Sequence, residues 1–282
     1  MALNSANSDV LVPEVVANIL VTPLEAASAF LAAGPRIIDT AGPVKVPTMA
    51  APTTPAWHGQ GELITEVDPH FGELSLLPST MKAVKTLTRF SNELARQSTV
   101  NLDQALQARL VTDVAAAMDA QLFSDKGDGI ALPTGLFAYK GVNTQAVAGA
   151  LKLDQLIDAQ GTLLGENVNL GATKWVVRPE TFTALRKIKD TTGNYVVQPD
   201  VTQGAGFQLL GAPVIVSSRV PAGKAALVDF SQIVVARDVA PEVKVLDQTF
   251  GNYDQQAIRV VYRMDAAPAN PKAIVTLTGI TA

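Results

Sequence analysis

Residues 57–80 carry three glycines (Gly59, Gly61, Gly72), four acids (Glu62, Glu66, Asp68, Glu73) and no lysine or arginine. Apolar and polar residues alternate at Leu63, Thr65 and Val67, and again over Glu73, Leu74, Ser75 and Leu76. That is the pattern of a long two-stranded β-hairpin projecting from a body. Ordering such a segment costs roughly 25–50 kcal/mol at about 1–2 kcal/mol per residue, and an isolated hairpin buries too little surface to offset this. The segment must dock on another surface, and a second subunit is the natural one.

The chain has 282 residues, enough for one large or two modest globular domains. Its mean hydropathy of +0.21 is raised by 41 alanines and not by a membrane span. The longest apolar stretch near the N-terminus, residues 26–33, is eight residues with a serine inside it, short of the roughly 18–20 that a bilayer crossing needs. No membrane partner is expected. Nor is a secretory signal, since no Lys or Arg precedes Arg36. The absence of cysteine excludes disulfides, thiolate metal sites, iron–sulfur clusters and cysteine nucleophiles together.

A net charge of −4 argues against a dedicated nucleic-acid binder, which would carry a basic stripe. Its distribution says more. Residues 1–81 hold Asp9, Glu14, Glu25, Asp39, Glu62, Glu66, Asp68 and Glu73 against Arg36 and Lys45 alone, a net −6, and the other 201 residues hold 20 bases and 18 acids, a net +2. An acidic front section precedes a nearly neutral body.

The first 35 residues read as an extended arm, broken by Pro13 and Pro23, with a short helix near residues 23–31. Strand-like text follows at Ile37, Ile38 and Val44–Val46, then a Pro/Thr-rich stretch to Pro55, the hairpin segment, and a strand at Val84–Phe90. The clearest helix starts near Asn101, an N-cap with Gln104 placed to close a capping box. Leu102, Leu106, Leu110, Val114, Met118 and Leu122 recur every fourth residue, so the apolar stripe drifts about 40° per step and wraps the helix. Such a helix is a backbone against which several elements pack, and Ser124–Gly129 ends it. From Leu151 to Leu246 the text is α/β, with helices at 153–164 and 179–189 and strands at 175–178, 213–217, 225–229, 233–237 and 243–246. Residues 190–206 read as a polar surface loop, and strands at 257–264 and 273–278 close the chain.

Chemistry is sparse. His58 and His70 match no ligand pattern with Glu62, Glu66 or Asp68 and read as solvated hairpin residues. Gly204-Ala205-Gly206 lacks the third glycine and preceding strand of a phosphate loop, and Asp125–Gly129 lacks the closing Glu of a calcium loop and reads as a helix-terminating turn. Trp57 and Trp175 read as packing residues. No catalytic, metal or cofactor residue is nominated.

Several short strings in order resemble the major capsid proteins of tailed bacteriophages, the Hong Kong 97-type fold shared with encapsulin shells. Leu11-Val12-Pro13-Glu14-Val15 is similar to the family's N-terminal arm. Val44-Lys45-Val46-Pro47, then Trp57 and Glu62-Leu63-Ile64-Thr65-Glu66, resemble the strand entering the projecting E-loop. Asp125–Gly129 with Pro133-Thr134-Gly135-Leu136 resembles the exit from the spine helix. Leu185–Asp190, Gly193-Asn194-Tyr195 and Leu210-Gly211-Ala212-Pro213-Val214 resemble the A-domain.

The resemblance implies an α+β fold with an N-arm at 1–35, P-domain strands at 36–56, an E-loop at 57–82, a spine-helix region at 83–130, an A-domain at 131–240 and P-domain C-terminal strands at 241–282. It implies self-assembly as hexamers and pentamers into an icosahedral virion shell around double-stranded DNA, in the cytoplasm of a bacterial host, with scaffolding, portal and decoration proteins as partners. The contact residues it nominates are Trp57, Glu62, Glu66, Asp68 and Glu73 in the E-loop, Val12, Pro13 and Glu14 in the arm, and Lys189, Asp190, Gly193 and Tyr195 in an A-domain loop. Some family members lock the shell with an isopeptide bond between an E-loop lysine and a neighbour's asparagine, promoted by a glutamate. Here no lysine lies between Trp57 and Met81, and Gln256 and Arg263 fall near the other two places, so a shell held without cross-links is expected. A chain beginning at its arm implies either a separate scaffolding protein or an N-terminal segment that has been cut away, and Met1 favours the first. The alternatives are an encapsulin-like nanocompartment shell and, from another class, a soluble α/β enzyme.

Overall fold

The computed structural model describes residues 27–40, 42–49, 57, 58, 60, 61, 71–77, 82–93, 102–189, 197, 207–238, 242–246 and 248–281. Their order is α1 (Ala29–Ala32), β1 (Arg36–Asp39), β2 (Val44–Met49), β3 (Phe71–Leu76), β4 (Ala83–Ser91), α2 (Leu102–Leu122), β5 (Asn143–Gly149), α3 (Leu153–Gly165), β6 (Thr173–Val177), α4 (Pro179–Arg186), β7 (Gln208–Leu209), β8 (Ala212–Val216), β9 (Lys224–Asp229), β10 (Ile233–Arg237), β11 (Glu242–Leu246), β12 (Gln255–Pro268) and β13 (Ile274–Ile280). One sheet runs β1-β10-β12-β11 with β4 also on β12, a second runs β5-β13-β9-β6-β8-β7, and β2 and β3 form a two-stranded ribbon.

The α2 helix packs on one face of the first sheet. Leu110, Val114, Met118 and Leu122 are buried at four-residue steps, joined by Ala115, and they meet Phe90, Ile258, Val260 and Tyr262. Phe30 of α1 closes this core with its ring edge-on to Phe123 and Phe230, at centroid distances of 5.4 and 5.5 Å. A separate core in the second sheet gathers Leu156, Ala159 and Leu163 of α3 under Trp175, Leu227 and Leu277.

Several expectations need correction. The alternation at 73–76 does mark a strand, but its partner is β2 and not a strand within 57–80: Val44 lies opposite Leu76 and Met49 opposite Phe71. Pro47 sits inside β2, tolerated because a two-stranded ribbon leaves an unpaired edge for a residue with no N–H. The text at 62–70 lies outside the described residues, as do the loop at 190–206 apart from Val197 and the N-cap Asn101. Trp57 is fully exposed and packs against nothing in its own subunit, whereas Trp175 is buried with its indole N–H donating to Leu209 O at 3.0 Å. The helix expected at 179–189 ends at Arg186, and β5 and β7 were not anticipated.

Sheet membership also crosses the expected boundary at 240/241. β10 pairs with β12 in the first sheet, whereas β13 lies between β5 and β9 in the second. Single 3-10 turns make the crossings, at Phe230–Gln232 and Pro271–Ala273. Each is capped by the residue before it, Asp229 accepting from Ser231 N at 3.0 Å and Asn270 from Lys272 N at 3.1 Å.

Candidate assembly surfaces

Two buried carboxylates fix the segments nominated for contact. Asp119 of α2 accepts from Ser28 Oγ at 2.6 Å, Ala29 N at 2.8 Å and Phe30 N at 3.2 Å. It thus satisfies the orphan N–H groups at the start of α1, which a four-residue helix cannot satisfy itself. Lys174 holds the other end, donating to Ala33 O at 2.8 Å. Residues 28–33 are thereby clamped across α2 and the second sheet.

Asp265 of β12 does the same for the ribbon. Its Oδ2 accepts from Leu77 N at 3.1 Å and from Lys82 Nζ at 2.6 Å, with both charged side chains buried. Leu77 ends β3 with a φ of 50° and Lys82 precedes β4, so one carboxylate gathers both sides of the connection. Leu74, Leu76, Leu77 and Val46 cover Val234, Ala236 and Ala267 on the sheet face away from α2. Nearby, the Tyr139 hydroxyl donates to Ala266 O at 3.2 Å, and burial, then the charge of Asp265, hold it well above the ordinary tyrosine range.

The turn after α2 explains why its glycines are glycines. A Cβ on Gly135 would lie 2.1 Å from Ser124 O, and one on Gly127, where φ is +131°, would lie 2.4 Å from Pro133 O. The two stretches are bonded by Gly135 N to Lys126 O at 3.0 Å and Phe137 N to Ser124 O at 3.2 Å. Asp128 accepts from the N–H groups of Ile130, Ala131 and Leu132, and the bonds from Leu132 and Ile130 above all hold its carboxyl below the usual range. Asp125 is lowered likewise by its bond from Lys224 at 3.1 Å. A cleft of about 260 Å³ lies between this turn, β4 and α2, lined by Val84, Met118, Gln121, Leu132 and Pro133 among others.

Of the nominated contact residues, Trp57 is exposed, and Glu73 on β3 accepts from Lys45 of β2 at 2.8 Å, which raises the Lys45 pKa through that hydrogen bond. Lys189 is exposed beyond α4. Val12, Pro13, Glu14, Glu62, Glu66, Asp68, Asp190, Gly193 and Tyr195 lie outside the described residues. The anchors Asp119, Lys82 and Asp265 were missed. Their signal was a lone acid in an apolar run, Ala-Met-Asp119-Ala and Met-Asp265-Ala-Ala. Among the described residues no group of three or more His, Cys, Asp or Glu is placed to hold a metal, and no helix is long and apolar enough to cross a membrane.

A sequence model of the phage capsid family matches residues 8–279. No curated protein matches the chain. Among solved structures, the capsid of an empty GTA particle is 19% identical over 90% of each chain with a TM-score of 0.74. The protein of Microbacterium phage Oxtober96 is 15% identical over 90% of this chain and 91% of its own, with a TM-score of 0.69. A virus-like particle from Pyrococcus furiosus is 14% identical over 93% and 97%, with a TM-score of 0.59.

Proposed function

Because the chain belongs to the phage capsid family, and so is a structural shell protein of the virion and not an enzyme, we propose that its copies assemble as hexamers and pentamers into an icosahedral shell around double-stranded DNA, held by non-covalent contacts. The family match over 8–279 carries this reading. In it, residues 1–35 are the N-arm, 57–82 the E-loop on the β2–β3 stem, 83–130 the spine-helix region, 131–240 the A-domain apart from β10, which belongs to the first sheet, and 36–56 with 241–282 the P-domain apart from β13, which belongs to the second. Val12, Pro13, Glu14, Trp57, Glu62, Glu66, Asp68 and Glu73 contact neighbouring subunits, and the loop with Lys189, Asp190, Gly193 and Tyr195 lies toward the symmetry axes. Assembly proceeds in the cytoplasm of a bacterial host with a scaffolding protein and portal, and a decoration protein on the finished shell.

Two features support the absence of isopeptide links. The E-loop has no lysine between Trp57 and Met81, and Arg263, near the place of the promoting glutamate, supplies no general base because a guanidinium stays protonated; it donates to Asp238 at 2.8 Å. Contact with DNA is sequence-independent, through counterion release and not base reading. The chain expressed alone or with its scaffold gives closed particles by negative-stain microscopy, and boiling them in detergent releases monomers near 29.6 kDa. Preparations that stay below about 100 kDa in size-exclusion, a mass set by a few subunits, contradict the shell. A ladder of covalent oligomers contradicts the missing cross-link. The likeness to a virus-like particle over 93% of the chain favours a second reading, a nanocompartment enclosing protein, and a 260/280 nm ratio without nucleic acid would select it.

A further inference from the structure

We propose that the cleft between α2, β4 and the turn after α2 is the seat of Ile19-Leu20-Val21 of the same chain. The N-terminal segment is thus docked on its own subunit before it reaches any other. What this means for neighbouring copies rests on the assembly reading above; the docking itself does not.

The cleft suits uncharged aliphatic side chains. Val84, Ala117, Met118, Leu122, Leu132 and Met264 supply apolar lining to its volume of about 260 Å³. The charged residue beside them, Lys82, is buried and already engaged by Asp265 at 2.6 Å. A charged group entering here would lose its water and gain no counter-charge. The rim is set in advance, because Asp128 holds the N–H groups of Ile130, Ala131 and Leu132. Ile130 and Leu132 nevertheless stand 62% and 51% exposed. Large aliphatic side chains held in water by a fixed turn, around an apolar hollow, mark a surface that something covers, and a rim that needs no ordering favours binding.

Where the described chain begins identifies the cover. Twenty-six residues precede Ala27. The start of α1 is bonded to Asp119 of α2 and its end to Lys174 of β6, so the exposed Ala27 stands at the α2 end of α1. Going round α2 from Asp119, at about 100° per residue, Ala116 follows by about 60°, Ala120 by about 100°, Ala117 by about 160° and Gln121 by about 200°. Small side chains therefore pave a route across the outer face of α2, with Ala117 exposed and Ala116 and Ala120 partly so. It ends at the cleft, which Ala117 and Gln121 line. On a helix about 10–12 Å across, that arc is roughly 15 Å. The seven steps from Ser28 back to Val21 span up to about 23 Å of extended chain, which is enough.

Charge then selects the segment. Residues 15–24 contain no charged side chain, and Ile19-Leu20-Val21 is their aliphatic centre, whereas Val10-Leu11-Val12 stands between Asp9 and Glu14. A tether this short gives an effective concentration on the order of millimolar, so a contact too weak for a free peptide is populated within the chain. In a shell, the seat leaves Val12, Pro13 and Glu14 to extend toward a neighbour from a point fixed on the subunit's own helix.

The chain has no cysteine, so introduced pairs report this contact cleanly. The test uses the full chain in dilute, unassembled solution, with circular dichroism melts showing each variant folded. Under mild oxidation Leu20→Cys/Ala117→Cys or Val21→Cys/Ala117→Cys, whichever side chain faces α2, loses its thiols in a band of monomer mass about tenfold faster than Leu11→Cys/Ala117→Cys. In a second measurement, Ala117→Cys alone reacts with a maleimide about tenfold more slowly than Ala117→Cys carrying Ile19→Ser/Leu20→Ser/Val21→Ser, since the seated segment shields it.

Equal maleimide rates with and without the serines overturn the proposal. So do disulfides that form only between chains, which make the occupant a second copy, and trapping no faster at residues 20 and 21 than at 11, which leaves the cleft to another ligand. Trapping within single subunits that never form particles leaves the seat standing and overturns the shell reading alone. Closed particles from subunits that show no trapping do the reverse.

Discussion

At the scale of single residues, identity is dictated most tightly where backbone meets backbone. Gly135 has no room for a methyl group, because Ser124 O would stand 2.1 Å away and belongs to the chain and not to a movable side chain. Gly161, inside α3, has nothing within 4 Å of its Cβ position. Gly135→Ala should destabilise the subunit by about 3 kcal/mol or prevent folding, and Gly161→Ala should stabilise it by about 0.5–1 kcal/mol, both read by chemical denaturation of unassembled protein. The sequence showed Asp125–Gly129 as a turn, from its polar and glycine composition. It did not show that Gly135, eight residues past Gly127, completes the same knot, since a close approach between two stretches leaves no periodic trace. Asp119 and Asp265 were hidden for a related reason: the distant donors they gather lie 89 to 91 residues away in sequence for Asp119, and 183 and 188 residues away for Asp265.

Among elements, strands with strong alternation or β-branched runs were legible. Ile233–Arg237 falls where Ile-Val-Val predicts it, and Trp175 and Val177 mark β6. β5, with the text Asn-Thr-Gln-Ala-Val-Ala-Gly, was not, because its small and polar residues have little strand propensity and its pairing with β13 decides the matter. The ribbon shows the complementary failure. Alternation identifies a strand without naming its partner, and β3 took β2 from across 21 intervening residues. The hairpin of β7 and β8 turns through Leu210 at φ 53° and Gly211 at φ 82°, the left-handed pair of a type I′ turn. Leucine is poorly suited to that region and asparagine well suited. Leu210→Asn should raise stability by about 0.5–1 kcal/mol, seen as a higher denaturation midpoint with an unchanged slope. A fall would show that the half-exposed leucine contributes packing that the turn does not reveal.

On the scale of the whole molecule, the buried Lys82–Asp265 pair joins the ribbon to the first sheet. Asp265→Ala strands a buried ammonium and the Leu77 N–H together. We expect a loss of about 3–5 kcal/mol, the cost of breaking a buried pair from one side, with protease cleavage between residues 77 and 82 appearing before the rest of the subunit is attacked. Uniform resistance to cleavage would show that the ribbon is held by its leucines alone. The family and the general order of elements were legible in short strings spread over the chain. The partition of strands between sheets was not, because one-turn crossings at 230–232 and 271–273 carry no composition shift to mark a boundary.

Those crossings also set a schedule for synthesis. β12 is the hub of the first sheet, and β13 is an interior strand of the second. Neither sheet can close while the ribosome is still making residues before 268 and 280, so a nascent chain has no finished surface to offer to its siblings on the same message. Assembly competence arrives late and all at once, which separates folding from polymerisation in time.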